Sequence, residues 1–190
     1  SIGFESGLAV ELFQDAWVLR GGVFQMPRVS NGMSVDPHLL RAWGGVVEFE
    51  RGFRLGEHRG VARVLLFANH AHMGSYKAAV NADLRPADLS SSRAYREKHG
   101  LGLGLEQEIS DEVAVFARAG WNDGRSESWC FSDADRSGSA GFSVKGGIWG
   151  RGGDVLGLAG ACSDISRAHQ KFLGAGGSGI LAGDGALNYR

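Results

Sequence analysis

Glu106 and Glu108 stand two residues apart. On a strand that spacing puts both carboxylates on one face about 7 Å apart, a separation compatible with the acid and base of a glycosidase. Nothing near them supplies a cleft or an apolar pocket to raise one pKa above the other, so hydrolysis is set aside. His70 and His72 share a strand parity and with His99 could hold a metal; satisfied or solvated imidazoles are the plainer reading. Gly100-Leu101-Gly102-Leu103-Gly104 imitates a nucleotide fingerprint, but its alternation continues instead of opening a helix, which removes the phosphate cradle. Asp133, Asp135 and Gly138 have calcium-loop spacing, yet Val144 stands where the bidentate glutamate belongs. Cys130 and Cys162 lack CxxC spacing. They read as two small half-buried residues, with a disulfide between loops as the alternative. The expectation is no enzyme, no cofactor and no metal.

The elements that carry these residues alternate with a period of two. Leu101, Leu103, Leu105 and Ile109 oppose Gly100, Gly102, Gly104, Glu106 and Glu108, a sorting that a 3.6-residue helix cannot produce. Residues 2–12, 112–121 and 139–148 sort in the same way, with Phe116 the one large apolar exception on its polar side. Segments 17–26, 42–53, 61–72 and 154–162 follow less neatly. The expected fold is therefore all-β, an up-and-down antiparallel meander of about eight strands in one domain over residues 1–190. Short helices are expected in the loops at Met73 to Arg85 and Ile165 to Leu173.

Connections after the first, third, fifth and seventh strands are short: Phe13 to Ala16, Arg54 to Gly60, Ser110-Asp111 and Gly150 to Gly153. Those after the second, fourth and sixth are long: Arg28 to Arg41, Met73 to His99 and Asn122 to Ser137. Short and long turns thus gather at opposite ends, as in bacterial outer-membrane barrels. Ten residues at ~3.3 Å, tilted ~40°, span an apolar band ~25 Å tall. Trp17, Trp43, Phe53, Trp121 and Trp149 fall near strand ends, where an interfacial girdle places aromatics.

Composition narrows the classes. Lys plus Arg is 20 and Asp plus Glu 21, so there is no basic footprint for nucleic acid. Glycine is 31 of 190 without a three-residue period, and 43% hydrophobic content is that of a folded chain, which excludes collagen and disorder. The longest stretch free of charge is thirteen residues, Val64 to Tyr76, short of the ~20 that a spanning helix needs. Alternation alone fits two arrangements: a membrane barrel with its apolar face outward, or a soluble barrel or sandwich that turns the leucines inward around a hydrophobic ligand. The non-apolar face is mostly Gly, Ser and Ala with few charges, which favours a lumen over a soluble surface.

Several blocks resemble the carbohydrate-selective porins of the OprB type: Trp17-Val18-Leu19-Arg20-Gly21-Gly22-Val23-Phe24-Gln25-Met26-Pro27, Ala71-His72-Met73-Gly74-Ser75-Tyr76, and Phe116-Ala117-Arg118-Ala119-Gly120-Trp121-Asn122-Asp123-Gly124-Arg125-Ser126-Glu127-Ser128-Trp129. Lys171 to Gly177 and Gly183 to Tyr189 continue the likeness in the family's order. The resemblance implies a bacterial outer-membrane barrel of about sixteen strands that admits sugars by diffusion. This chain would be a middle-to-late portion, with about three strands following Arg190 and several preceding Ser1. Cys130 stands where the resemblance calls for a small apolar residue. Sugars are the implied solutes and outer-membrane lipid the implied surroundings. The chain shows no clear subunit face, so a monomer and a homo-oligomer both remain open.

In such a pore, side chains that bond hydroxyls and aromatics that stack on a sugar ring would set selectivity. Strand parity places Glu5, Glu11, Arg20, Glu48, Glu50, Glu106, Glu108, Arg118 and Lys145 toward the lumen. Arg20 and Arg118 are the expected sugar contacts. Asp123, Arg125, Glu127 and Trp129 lie on a loop that either narrows the bore or braces its neighbours.

Overall fold

The computed structural model describes residues 6–30, 32–129 and 133–179. Eight strands follow the alternating segments: β1 (Gly7–Gln14), β2 (Trp17–Gln25), β3 (Trp43–Leu55), β4 (His58–Met73), β5 (Ala94–Glu108), β6 (Val113–Asn122), β7 (Arg136–Lys145) and β8 (Val155–Asp164). They form one sheet in chain order, each strand antiparallel to the next. Two turns have two residues, Asp15-Ala16 between Gln14 and Trp17 and Gly56-Glu57 between Leu55 and His58, and in the second Gly56 sits at φ 63°. A primed hairpin turn needs that left-handed residue to match the twist of its strands.

Register lines up two unlike faces across the whole sheet. One row runs Leu12, Leu19, Phe49, Val64, Leu103, Ala119, Gly138 and Cys162. The adjacent row, one residue along each strand, runs Glu11, Arg20, Glu48, Leu65, Gly102, Gly120, Ser137 and Ser163. The first face is uncovered: Leu8 is 71% exposed, Leu66 56% and Leu158 66%. The leucines do not meet one another in a closed interior, which a soluble barrel or sandwich would require. Burying such a side chain in hydrocarbon is worth about 1.5–3 kcal/mol.

The bounds that differ most from the sequence expectation are those of β4, β5 and β7. β5 starts at Ala94, not Gly100, because Tyr95, Glu97 and His99 alternate with Arg96 and Lys98 in a charged stretch that carries no apolar signal. β4 is 16 residues long and β5 15, so at ~3.3 Å per residue they outrun a ~25 Å apolar band and their ends stand among polar groups. β7 stops at Lys145, where Gly146–Trp149 form a 3-10 turn closed by Gly150 at φ 77°. Trp149 is therefore on a turn, not a strand. Residues 2–5, expected in the first strand, lie outside the described residues, as do Glu5 and Cys130.

The buried apolar residues lie at the long-loop end. Helix α1 (Tyr76–Asn81) follows β4 and helix α2 (Arg167–Gly174) follows β8. Each starts on a serine: Ser75 Oγ accepts from Ala78 N and Ser166 Oγ from His169 N, the capping that frees a first turn from unpaired donors. Tyr76, Ala79, Ala87, Phe172 and Leu173 form one cluster between them; Met26, Ala42, Ala71, Met73 and Trp129 form the second. Helices from β4 and β8 meet only if the loops lean over the same face of the sheet.

Candidate functional site

Charged side chains on the non-leucine face join strand to strand into a ladder. Arg20 Nη1 donates to Glu48 Oε1 at 2.7 Å and to Glu50 Oε2 at 2.9 Å, and its Nε lies 3.5 Å from Glu11 Oε2. Arg63 Nε donates to the same Glu50 oxygen at 2.9 Å, and its Nη1 to Glu106 Oε1 at 2.7 Å. Arg118 closes the series with Nη2 3.7 Å from Glu106 Oε1. The ladder thus crosses β1, β2, β3, β4, β5 and β6. Gly102 and Gly104 face it without side chains, and a Cβ at either would meet only Leu65 or Arg63 at 3.6 Å, so the space over this floor is open. Every carboxylate keeps unused lone pairs and each guanidinium unused N–H groups, which is the equipment for exchanging hydrogen bonds with a hydroxylated solute.

Arg63 was not among the residues that parity selected. Its strand also carries Leu65 and Phe67 on the ladder side, and those two large apolar residues blur the period. Phe116, the exception noted above, lies on the ladder face too; its ring covers Gly141 and the Arg118 guanidinium stands 5.4 Å from its centroid.

The other candidates divide by height. Glu108 and Lys145 sit at the short-turn end: Glu108 Oε2 accepts from Arg59 N at 2.9 Å, and Lys145 Nζ donates to the Asp111 carbonyl at 2.7 Å. Neither reaches the ladder. Glu127 is buried at the long-loop end, where Oε1 accepts from Gly74 N at 2.8 Å and Arg93 donates Nε and Nη2 to its two oxygens at 2.9 and 3.1 Å. Those contacts make it a brace. Trp129 packs among Met26, Ala71 and Met73. Arg125 is exposed, its N–H donating to Asp123 Oδ1 at 3.3 Å.

The loops are tied together over the ladder face. Ser30 Oγ donates to the Ser128 carbonyl, and Lys98 Nζ to the Ser126 carbonyl at 3.1 Å. Asp135, fully buried, accepts from Ser166 N at 2.8 Å and lies 3.4 Å from His169 Nδ1, whose ring stacks on Tyr76 at 4.3 Å. Burial alone would push the Asp135 carboxyl up. The His169 ring, the Ser166 N–H and the Lys98 ammonium together outweigh it and hold the group below the usual carboxylate range. Asp135 is therefore a tether between loops.

His70 and His72 point to the leucine face, where His70 stacks between Trp43 and Tyr95 at 6.5 and 6.0 Å. His99 stands 5.9 Å from Trp121 on that face. Among the described residues no cluster of three His, Cys, Asp or Glu could hold a metal. Trp17, 6.2 Å from Phe49, marks the opposite end. Aromatics near both ends of an outward apolar face form the two girdles of a membrane barrel.

An outward apolar face flanked by aromatics, with a charged and glycine-floored face behind it, is the arrangement of a transmembrane β-barrel of the bacterial outer membrane. The chain belongs to the carbohydrate-selective porin OprB family, whose model matches residues 4–186. Family and fold are those of a transport channel. A solved structure described as the high-pH form of Pseudomonas putida OprB superposes with a TM-score of 0.70 at 17% identity, covering 89% of this chain. The chain spans 42% of that neighbour's length. A search of curated proteins finds no match.

Proposed function

We propose that the full-length barrel containing this chain is a diffusion pore for carbohydrates and that the Glu11-to-Arg118 ladder lines its passage. The observation that carries this reading is the pair of adjacent rows in which Leu12, Phe49 and Leu103 face outward while Glu11, Arg20 and Glu48 face the opposite way. Hydrocarbon covers the first row; water and solute occupy the other side. Arg20, Glu48, Glu50, Glu106 and Arg118 exchange bonds with sugar hydroxyls as a solute passes, each contact weak enough to release it. Covalent chemistry plays no part.

The family description supports carbohydrate as the solute class. The test is planar-bilayer recording of the full-length protein: stepwise conductance that a sugar added to the bath reduces in a concentration-dependent way. Conductance unaffected by any sugar would refute carbohydrate passage, and absence of conductance would refute the pore.

A further inference from the structure

On the ladder face, between the ladder and the long loops, lies a cavity of about 290 Å³. Its floor is Phe67 and Asn69 from β4, Lys98 from β5, and Gly120 and Ser137 from β6 and β7; Trp129 closes one side. Arg118 and Gly120 are neighbours on one strand face, while Asn69 is six residues beyond Arg63, so the cavity lies ~7 to ~20 Å from the ladder toward the long-loop end.

We propose that this cavity is a vestibular subsite for a single sugar ring, occupied before the ladder by solute entering from the long-loop side. The inference rests on carbohydrate passage and adds a place to it. Its volume lies near the lower end of the ~300–1,000 Å³ of small-ligand sites, enough for one ring and not for a chain of them. Polar groups converge on it unspent. Among the described residues, the half-buried Asn69 amide and the exposed Ser137 hydroxyl spend no bond on other protein groups, and the indole Nε1 of Trp129, a residue 9% exposed, has no hydrogen-bond partner. Lys98, 5% exposed, spends its ammonium on one carbonyl, with Asp135 Oδ1 3.9 Å away. Water meets the Asn69 amide and the Ser137 hydroxyl at the cavity, and the hydroxyls of a bound sugar can take its place as partners for an amide, a hydroxyl and an ammonium together. Phe67 and Trp129 add aromatic surface for the apolar face of the ring. Room comes from Gly120, where a Cβ would stand 2.7 Å from Ser137 Oγ, and from Gly100, which the Phe67 ring crosses.

Asn69→Leu and Ser137→Val in the full-length barrel test this, with native folding of each checked by the gel-mobility change on boiling. The readout is the D-glucose concentration, added on the long-loop side, that halves the single-channel current. Each variant should raise it about 5- to 10-fold, the size of one lost hydrogen bond to a neutral ligand. Unchanged half-blocking concentrations in both variants, with block intact in the parent protein, would overturn the subsite and leave carbohydrate passage standing. A parent protein that D-glucose does not block would overturn the subsite, and one that no sugar blocks would overturn both.

Discussion

Arg20 and Arg63, from strands on either side of β3, converge on one carboxylate oxygen: Glu50 Oε2 accepts from Arg20 Nη1 and from Arg63 Nε, both at 2.9 Å. Two like charges are held together by one anion, and the balance of the passage at this height depends on it. Glu50→Gln should leave the barrel folded, because part-exposed pairs are well screened and contribute little to stability. Permeation should change more. The ladder would go from four carboxylates against three guanidiniums to three against three, and one unit of charge removed about 4 Å from the path is worth about 1 kcal/mol to a passing anion in water, roughly fivefold in its local concentration at low salt. Reversal potentials under a salt gradient should move toward anion preference, and less so at high salt.

Arg118 is the ladder's most accessible cation, its side chain 65% exposed and its contact with Glu106 long at 3.7 Å. Arg118→Ala should therefore barely change the unfolding midpoint while altering sugar flux or the blocking of salt current by sugar. Unchanged flux and block would remove Arg118 from the list of contacts.

The two faces should differ in the polar groups they tolerate. Leu103→Arg, in the middle of the outward row, should cost about 2–4 kcal/mol in denaturant unfolding of the lipid-embedded barrel. Gly102→Ser, one residue away on the other face, should cost far less, since a Cβ there meets only Leu65 at 3.6 Å. Gly100→Ala is the contrasting glycine: its Cβ would stand 2.4 Å from the Trp121 carbonyl, an overpacking expected to cost about 1–3 kcal/mol.

The tethered loops should loosen in acid. Asp135 and Asp36 are both held below the usual carboxylate range: burial pushes each up, and hydrogen bonds outweigh it, for Asp36 from His38 N, the Tyr95 hydroxyl and the His38 ring. A lowered folded-state pKa contributes stability that is fully present above the ordinary carboxylate pKa and is lost as pH falls through the folded value. Protease sensitivity of the long loops should thus stay flat near neutrality and rise only below about pH 4. Asp135→Asn should show raised sensitivity already at neutral pH.

Tyr76 is 1% exposed and stacked on His169. Tyr76→Ala should remove about 3–5 kcal/mol of packing, and the loss should be local. Limited proteolysis should cut within 74–93 while the barrel keeps its gel-mobility change on boiling.

The strands were legible because period two survives wherever one face must be apolar: Leu101, Leu103 and Leu105 against three glycines leave no other reading. The extension of β5 was not, because beyond the apolar band nothing selects between Glu97 and Lys98 on hydropathy. Parity found Arg20, Glu48, Glu50 and Arg118 yet passed over Arg63, since Leu65 and Phe67 share its face. Asn69, Lys98 and Ser137 had no signal at all: they come together through pairing of β4 with β5 and of β6 with β7, and through a loop folded over them, neither of which is local in the chain. Glu127 carried a signal of charge only; that its partner is Arg93 follows from the loop fold.

The orientation of the two rows is tested most directly by thiol accessibility. In the full-length barrel in liposomes, with Cys130 and Cys162 replaced by serine, single cysteines would be placed at Gly102 and Leu103. A water-soluble, membrane-impermeant thiol reagent should modify the cysteine at 102 and spare that at 103, which should instead respond to a lipid-dissolved quencher when labelled with a fluorophore. The reverse pattern, with 103 open to water and 102 in lipid, would contradict the account.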